Sequence, residues 1–438
     1  MNSWPEFPGF HSSCKLLLLL AGLLLTAPAV WAGKYAYGEA FVRVGQSWTD
    51  GSPVQSPTQS ASTATQDDGL YQRQVNALEN EGGPYADALA EPLTGLGRYY
   101  RQRGDMEQAL RHYRRAMHVV RVNDGLYSER QMPILRELLD AYRESGDLEL
   151  LDDRYDYYFR LYGNGQPPYT DVRLRASLAY LRWQREAIRL GIDENDSQRL
   201  LALYRLNDEL LQGVAADSSL ALSWYRDLVL SQLRNQYLLE DRFAPTIQNA
   251  GVAPATPLLA EDWSQKDFDR KRLELIQRGS QSQGASMLQA LIDRSAVAGG
   301  NTELAGLHLE LGDWYQWHGN EHRAGEQYRQ VVQLLSDEGR PDLLQQWLGQ
   351  PMELPDNGAF WQFRPSSEGD HQVVVSMRYD VSTRGRASNL QALVSAPEDK
   401  GLASRLKRKL SQIRFRPRWV SGAAESVSQI QRDYQLVD

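Results

Sequence analysis

Residues 93–121 read LTGLGRYYRQRGDMEQALRHYRRAMHVVR, and this stretch decides the fold. Its apolar and small anchors are Leu93, Leu96, Gly97, Tyr100, Ala109, Tyr113 and Ala116. In each half of the stretch the anchors recur at intervals of three and four, which places them on one face of a helix. Gly104-Asp105 lies between the halves, where the glycine breaks the first helix and the aspartate can cap the second. The stretch therefore predicts a helical hairpin.

The same layout occurs twice more. The second unit has the anchors Leu135, Leu138, Leu139, Tyr142, Gly146-Asp147, Leu151, Tyr155 and Tyr158. The third has Leu311, Gly312, Tyr315, Gly319-Asn320, Ala324, Tyr328 and Val331. The pattern resembles the tetratricopeptide repeat, closely in the first and third units and partially in the second, where Leu139 replaces the glycine. The alternative is an ordinary helical bundle with coincidental spacing.

Helical periodicity begins near Leu70 and continues to about Trp347. Between the clear units, single helices are predicted at residues 171–190, 196–211 and 219–239. A degenerate hairpin is predicted from residues 267–277 and 285–293, and a break in the array at residues 245–257, which are rich in Gly, Ala and Pro. By the resemblance, such repeats stack into a solenoid whose first helices line a groove.

The resemblance also implies where a ligand would bind. Mapped onto the groove side of the first helices, the candidate peptide-binding residues are Arg98, Arg101, Gln102, Arg136, Asp140, Arg143, Asp313 and Trp317, with Thr94 and Gln316 beside them. Four are arginines, which bind carboxylates through paired hydrogen bonds, so an acidic peptide is one implied ligand. The alternative is that the arginines form a solvated face paired with Glu107, Asp140 and Glu144.

The chain changes character after a Pro- and Gly-containing connector. Strands are predicted at residues 372–379 and 388–395, a helix at 402–413, and two final strands at 414–418 and 428–436, joined at Ser421-Gly422. This order resembles the C-terminal domain of TonB-type energy transducers over about 70 residues. The most specific match is Arg414-Phe415-Arg416-Pro417, in which the aromatic ring enters the sheet–helix interface and the proline sits where a strand needs no donor.

Two elements of the TonB family are absent: the Tyr-Pro and Ala-Arg pairs before the first strand, and the long Pro-rich spacer. In that family an extended peptide adds to a sheet edge. Here the last strand, residues 428–436, is the predicted exposed edge. The departures favour a binding domain over a working transducer.

Composition and charge restrict the function further. The chain has 438 residues, 42% of them hydrophobic and 24% charged, which is typical of a soluble globular protein with two or three domains. A net charge of -8 argues against a nucleic-acid partner. From His371 onward there are twelve Lys and Arg against six Asp and Glu. This basic tail favours an anionic surface such as phospholipid headgroups, or the acidic helical part of the same chain.

The N-terminus resembles a secretion signal. Lys15 precedes the apolar run 16–25, and residues 29–32 offer small residues for a signal peptidase. Cleavage after Ala32 is predicted, which removes Cys14 and leaves no cysteine for disulfides. The alternative is an uncleaved membrane anchor, although the run of about 10 to 15 residues is shorter than the roughly 20 that a spanning helix needs.

Catalytic motifs are missing from the sequence. His318 and His322 are four apart, but Gly319-Asn320 separates them, so neither is predicted to bind a metal. There is no nucleophile elbow, phosphate-binding glycine loop, dinucleotide fingerprint or zincin motif. The cluster of Glu149, Asp152, Asp153 and Asp156 is predicted to be a solvated face. We expect no cofactor and no enzymatic activity; an envelope hydrolase is a third hypothesis.

The sequence therefore predicts an α+β protein. The expected segments are a signal peptide at 1–32, a disordered spacer at 33–69 with one alternating patch at 40–44, a tetratricopeptide-like α-solenoid at 70–350, a linker at 351–370 and a TonB-like α+β domain at 371–438. The predicted function is a periplasmic interaction or scaffold protein that binds envelope proteins or peptides, with an outer-membrane receptor or an anionic membrane surface as partners of the basic tail. The alternative is an inner-membrane-anchored energy transducer or transport component.

Overall fold

The computed structural model describes residues 40–43, 68–193, 196–242, 265–298, 300–360, 374–393 and 400–437. They belong to one compact unit, Tyr35–Asp438. The predicted signal peptide and the predicted break at residues 245–257 lie outside the described residues. No helix in the described ranges is both long and apolar enough to cross a membrane.

The N-terminal part is an array of helices, here called the helical array. Its members are α1 (Asp68–Gly82), the 3-10 helix η1 (Asp87–Leu89), α2 (Ala90–Gln102), α3 (Met106–Asp124), α4 (Gln131–Ser145), α5 (Leu148–Leu161), α6 (Asp171–Leu190), α7 (Asp196–Ala216), α8 (Leu222–Arg242), α9 (Gln265–Ala298), α10 (Asn301–Trp317), α11 (Glu321–Asp337) and α12 (Pro341–Leu348). From α1 to α12 each helix contacts the next one in sequence. Contacts also join α2 to α4, α6 to α8 and α7 to α9. This arrangement is loosely compatible with helical repeats.

The three predicted hairpins are present as α2–α3, α4–α5 and α10–α11. In each turn a glycine has a positive φ, 77° at Gly104, 72° at Gly146 and 73° at Gly319. The next residue caps the second helix: the side chains of Asp105, Asp147 and Asn320 accept hydrogen bonds from Gln108 N, Leu150 N and Arg323 N. The capping oxygens satisfy main-chain donors that have no partner inside the helix, which stabilises the hairpin.

A glycine–tyrosine contact closes the first and third hairpins. A Cβ on Gly97 would lie 2.4 Å from Tyr113 Cε1, and one on Gly312 would lie 2.6 Å from Tyr328 Cε1. Both tyrosines are almost fully buried. In the second hairpin Leu139 takes the glycine position, and Tyr155 stacks on Trp183 of α6, with ring centroids 4.9 Å apart. The glycine therefore matters because it lets the two helices of a pair approach with an aromatic ring between them.

The prediction of a hairpin within residues 267–293 is wrong, because α9 is one continuous helix of 34 residues. Its glycine-rich centre serves close packing and not a turn. A Cβ on Gly284 would lie 2.5 Å from Trp314 Cζ2 of α10. Ser280 is fully buried and donates a hydrogen bond to Glu240 of α8 at 2.5 Å. The small residues thus mark where α9 meets its neighbours.

The C-terminal part contains one further helix and most of the strands. The elements are β1 (Ala40–Arg43), β2 (Met352–Glu353), β3 (Val374–Val381), β4 (Ala387–Leu393), α13 (Lys400–Gln412), β5 (Phe415–Arg416), β6 (Arg418–Val420), β7 (Ala423–Glu425) and β8 (Val427–Val437). The order β1-β8-β3-β4 forms an antiparallel sheet. The fold class is therefore α+β, as predicted.

The core of this sheet matches the alternation in the sequence. Val375, Met377 and Tyr379 of β3 are buried with Leu406 and Leu410 of α13. Phe415 is fully buried in the same cluster, where the Arg-Phe-x-Pro element was predicted to place it.

Two strand predictions need correction. Ser421-Gly422 does not join the final two strands: both residues have positive φ, 50° and 78°, and they turn the β6–β7 hairpin, while β5 pairs with β2. Nor is β8 the exposed edge along its whole length. Its residues Tyr434–Val437 pair with β1, which lies within the range expected to be a disordered spacer. The N-terminal strand satisfies main-chain groups that the edge would otherwise leave open.

We expect Gly97→Ala to lower the free energy of unfolding by about 1 to 3 kcal/mol, because the new methyl group overlaps the Tyr113 ring. Urea unfolding followed by circular dichroism measures this change. The matched control is Gly279→Ala in α9, where a Cβ would meet nothing within 4 Å. The control should be neutral or gain up to about 1 kcal/mol, since alanine favours helix. Equal effects at both positions would contradict the packing role of Gly97.

Candidate interaction site

Three of the four predicted arginines, Arg98, Arg101 and Arg143, lie on α2 and α4 and are ion-paired within the chain. Arg101 donates to Glu144 from Nε at 2.9 Å and from Nη2 at 2.6 Å. Its Nη1 lies 3.0 Å from Glu137, which also accepts from Arg98 Nε at 2.6 Å. The guanidinium of Arg101 thus has a carboxylate on each donor edge.

Arg143 extends this network to α6. Its Nη2 lies 2.9 Å from Glu186, whose side chain is 1% exposed, and 3.1 Å from the Tyr155 hydroxyl. Asp140 lies between the arginines, 3.8 Å from Arg101 and 3.9 Å from Arg143. Burial raises the pKa of Asp140, although the two guanidinium groups oppose the shift.

These pairs form a regular ladder along the helical array. Arg101–Glu144 and Arg143–Glu186 both span 43 residues, from α2 to α4 and from α4 to α6. Three arginines therefore face the four carboxylates of Glu137, Asp140, Glu144 and Glu186, so the face carries no excess positive charge. Asp140 and Glu144 are partners that the sequence alternative named; the third, Glu107, pairs with Arg111 instead.

The remaining candidates in the first two units differ from the ladder. Gln102 and Arg136 are exposed. Arg136 Nη2 lies 3.4 Å from the Met132 sulfur, and the residue also lies beside Tyr158. Thr94 is buried and donates to the Ala90 carbonyl at 2.7 Å. The structure therefore groups Arg98, Arg101, Asp140 and Arg143 but leaves Gln102 and Arg136 outside their network.

In the third unit Asp313 and the neighbouring Gln316 bind the chain's own C-terminal part. Arg416 of β5 meets Asp313 of α10 in a two-pronged ion pair, Nε to Oδ1 at 2.8 Å and Nη2 to Oδ2 at 2.5 Å. Both side chains are at most 5% exposed. The Tyr328 hydroxyl donates to Asp313 at 2.9 Å, and Arg416 Nη1 donates to the Trp347 carbonyl at 2.8 Å. We call this the docking pair.

Main-chain contacts surround the docking pair. Gln316 Nε2 donates to the carbonyls of Arg384 and Phe415 at 2.9 and 3.0 Å. Gly385 has a φ of 66°, and a Cβ there would lie 1.9 Å from the Phe415 oxygen, so no larger residue fits. A single side chain of α10 thus donates hydrogen bonds to two backbone carbonyls of the C-terminal part.

The connector between α12 and the sheet is held by polar side chains. Glu353 of β2 accepts hydrogen bonds from Arg432 at 3.0 Å and from the Tyr434 hydroxyl at 2.6 Å. Arg234 Nε donates to the Asn357 carbonyl at 2.8 Å, and Asn357 Nδ2 donates to Glu310 at 3.0 Å. Residues expected to form a linker are therefore packed between the array and the sheet.

Trp317 belongs to a separate polar cluster inside the helical array. Glu240 accepts from Trp317 Nε1 at 3.0 Å, and it also lies 2.9 Å from His318 Nε2. His322 is 82% exposed and 3.5 Å from Glu326. The two histidines therefore have different partners. The described residues contain no group of three or more His, Cys, Asp or Glu side chains placed to hold a metal ion.

The acidic cluster on α5 is structural in part. Asp152 accepts from Trp183 Nε1 at 2.6 Å and from both terminal nitrogens of Arg199, at 2.9 and 2.8 Å. Asp156 accepts from the Tyr180 hydroxyl at 2.7 Å. These bonds link α5 to α6 and α7, so Asp152 acts as an inter-helix tie and not as the solvated residue that was expected.

The sequence did not predict the residues that join the helical array to the C-terminal sheet. Arg416 was assigned only to a family element, and Glu353 and Asn357 were assigned to a linker. The excess of positive charge after His371 was the one available signal, because it predicted attraction to the acidic helical part. The ion pairs of Arg416 with Asp313 and of Arg384 with Glu321, at 3.6 Å, follow that expectation.

Comparison with known proteins adds no relative. No protein-family model matches the chain, and no curated protein matches it significantly.

Replacing Asp313 by Asn should lower the free energy of unfolding by about 3 to 5 kcal/mol, because it removes the two-pronged counter-charge of the buried Arg416 and leaves it the more distant Asp356, whose Oδ2 lies 3.5 Å from Arg416 Nη2. Urea unfolding gives the magnitude, and hydrogen exchange of residues 374–393 and 400–437 reports loosening of the C-terminal domain. The matched control is Asp342→Asn. Asp342 makes an equally two-pronged pair with Arg340, but the two side chains are 62% and 41% exposed, so about 0 to 1 kcal/mol is expected. A small effect at Asp313 would mean that the docking pair does not hold the domain.

Glu310 should make stability depend on pH. Burial raises the pKa of Glu310 from an ordinary 4.5 to about 7, with the nearby Asp313 carboxylate adding to the shift. The contribution of Glu310 to the free energy of unfolding is most favourable below pH 4.5, where the folded and unfolded chains both carry the proton. This contribution is lost as the pH rises towards 7. Glu310→Gln should therefore gain about 1 to 3 kcal/mol over the natural chain between pH 5 and 8.

Melting temperatures across that pH range measure the effect. The exposed carboxyl of Glu107, replaced by Gln, is the control and should leave the pH profile unchanged. Parallel profiles for Glu310→Gln and the natural chain would argue against a protonated Glu310.

Proposed function

We propose that this chain is an exported interaction or scaffold protein of the bacterial envelope, built from tetratricopeptide-like helix pairs and a TonB-like C-terminal domain. It binds other polypeptides and does not transform a substrate. The proposal rests on the contacts that α10, in the third helix pair, makes with the C-terminal part of the chain.

The observation that supports the proposal is that α10 contacts the chain's own C-terminal part through two positions that the resemblance assigns to the groove. Asp313 and Gln316 lie where the resemblance puts ligand-binding residues, and they hold a guanidinium and two main-chain carbonyls of residues 384–416. Main-chain contacts of this kind recognise an extended segment with little dependence on its side chains. The C-terminal domain is thus a bound polypeptide that happens to be covalently attached.

Equivalent positions in the first two units are partly open. By the repeat alignment Arg98 matches Asp313, Arg101 matches Gln316 and Gln102 matches Trp317. Arg98 and Asp140 are each 53% exposed, although paired. With Gln102 and Arg136 they give a surface of mixed charge, which suits a polypeptide that carries both signs better than a purely acidic one.

The C-terminal domain adds a second surface. Lys400, Lys407 and Arg408 are exposed on α13. This basic face supports an anionic partner, either an outer-membrane receptor segment or phospholipid headgroups. Since the docking pair holds the domain against α10, a partner on α13 and a partner on α2–α4 would be kept at a fixed separation, as a scaffold requires.

The anchored alternative, an inner-membrane energy transducer, is less favoured by chain length. Fourteen residues, 26–39, separate Leu25, at the end of the apolar run, from Ala40 of β1. A fully extended chain covers about 3.3 to 3.6 Å per residue, so this segment reaches about 50 Å at most. Because β1 pairs with β8, an uncleaved anchor would keep the C-terminal sheet within that reach of the membrane.

Sequencing the N-terminus of the protein purified from cells tests the export part. We expect the mature chain to start at Gly33 and to be released by osmotic shock. An intact Met1 in the membrane fraction would instead support the anchored transducer and overturn the exported scaffold.

A second experiment tests the binding part. Affinity capture from envelope extract compares the natural chain with a Gln102→Ala/Arg136→Ala variant, which leaves the ion-pair ladder intact. The matched control is Arg111→Ala/Arg175→Ala, which removes two arginines whose side chains are 62% and 61% exposed. We expect captured partners to fall at least about fivefold, roughly 1 kcal/mol, for the first variant only. Full retention by both variants would remove the α2–α4 surface from the proposal.

A further inference from the structure

A cavity of about 280 Å³ lies on the helical array where α5, α6 and α7 meet. Phe159, Gln184 and Leu203, one from each helix, are buried and form its floor. Asp156 and Arg160 of α5 are exposed and stand at its rim. The volume is close to the lower end of the range for small-ligand sites, so the cavity suits a small molecule and not a folded partner. None of the five residues belongs to the docking pair or to the ion-pair ladder.

We propose that this cavity binds a free amino acid with an apolar side chain. The ammonium group of the ligand contacts Asp156, and its carboxylate binds Gln184 and Arg160. Its side chain lies on the apolar wall that α7 contributes. The inference goes beyond the proposed function, which gives the helical array polypeptide partners only.

The floor of the cavity supplies a buried amide with free donors. Gln184 is 7% exposed, and its Oε1 accepts a hydrogen bond from Arg199 Nη1 at 2.8 Å. Arg199 is held in turn by both carboxylate oxygens of Asp152, at 2.9 and 2.8 Å. These bonds fix the orientation of the amide and leave Nε2 for the cavity that Gln184 lines. Within the described residues this nitrogen has no hydrogen-bond partner. A carboxylate oxygen is the acceptor that such a donor lacks.

The rim carries one charge of each sign. Asp156 and Arg160 are one helical turn apart, a spacing at which opposite charges commonly pair. Here Arg160 Nε donates to the main-chain oxygen of Asp156 at 3.4 Å, and the Asp156 carboxylate accepts from the Tyr180 hydroxyl at 2.7 Å. In the part of the chain that the structure describes, neither charge has an ion-pair partner.

This pair of charges selects the class of ligand. A compact zwitterion, with ammonium and carboxylate on the same carbon atom, presents both signs across one turn of helix. A purely anionic ligand would face the carboxylate of Asp156, and a purely cationic one would face the guanidinium of Arg160. Complementary charges of both signs therefore favour a free amino acid over either.

The rest of the cavity is apolar. The rings of Phe159 and Tyr180 are stacked, with centroids 4.2 Å apart and planes within 3°, so a ligand lies beside this pair and not between the rings. Leu206, which is partly exposed, and Ala202, which is exposed, form the side that belongs to α7. A branched aliphatic or aromatic ligand side chain on this side removes apolar surface from water, which favours binding.

The test titrates the full chain, purified from cells, with L-leucine and L-phenylalanine in a calorimeter. The comparison ligands are N-acetyl-L-leucine, which lacks the ammonium group, and L-leucinamide, which lacks the carboxylate. Each blocked form should bind at least about tenfold more weakly than L-leucine, because one rim charge loses its partner. Equal affinity for free and blocked forms, or no binding of either free amino acid at millimolar concentration, would overturn the proposal.

One pair of variants locates the site. Ala202→Trp places an indole in the cavity from an exposed position and should abolish binding of L-leucine. The matched control is Ala215→Trp, which is also exposed on α7 but does not line the cavity, and it should bind as the natural chain does. Unchanged binding by Ala202→Trp would show that the amino acid binds elsewhere.

A second pair assigns the two charges. Asp156→Asn should reduce the preference for L-leucine over N-acetyl-L-leucine and leave the preference over L-leucinamide unchanged, and Arg160→Gln should do the converse. Variants that change both preferences alike, or neither, would contradict the assignment. None of these substitutions touches Gln102 or Arg136, so amino-acid binding and the capture of polypeptides are tested separately.

Discussion

The buried ion pair between Asp313 and Arg416 is the constraint on which the arrangement of the described residues depends. The partners are 103 residues apart in the chain, and both are removed from water. Two such charges are tolerated only where geometry is good and the remaining polar atoms have partners. The Tyr328 hydroxyl and the Trp347 carbonyl provide those partners. The pair therefore specifies one position of β5 against α10, and through β5 the position of β2 and of the buried Phe415.

Arg101, Arg143 and Gln316 occupy equivalent positions in the three helix pairs, but they bind different partners. The guanidinium of Arg101 in α2 binds a carboxylate of α4, and that of Arg143 in α4 binds a carboxylate of α6, in both cases 43 residues later in the chain. At Gln316, the corresponding position of the third unit, an amide reaches the main chain of β5. The C-terminal part thus meets α10 at the helix position that in the first two units meets a later helix of the array.

The hairpins and the sheet core were predictable because their signals are local. A positive-φ glycine followed by a capping residue ends one helix and starts the next whatever the surroundings, as at Gly104-Asp105. Alternation in β3 placed Val375 and Met377 inside for the same reason. The candidate site was less predictable, since an arginine pattern does not say which carboxylates will face it. The hairpin predicted within residues 267–293 was wrong for a related reason: Gly284, which lies between the two predicted helices, is needed where Trp314 packs.

The sequence by itself determined the α+β class, the three helix pairs and the inward face of β3. These follow from periods of 3.6 and 2 residues and from turn chemistry, which act over a few neighbouring residues. Only the tertiary structure decided that Asp313 is held by Arg416 and that β1 covers part of β8. Those features depend on which distant groups meet when water is excluded, and no local pattern records that choice.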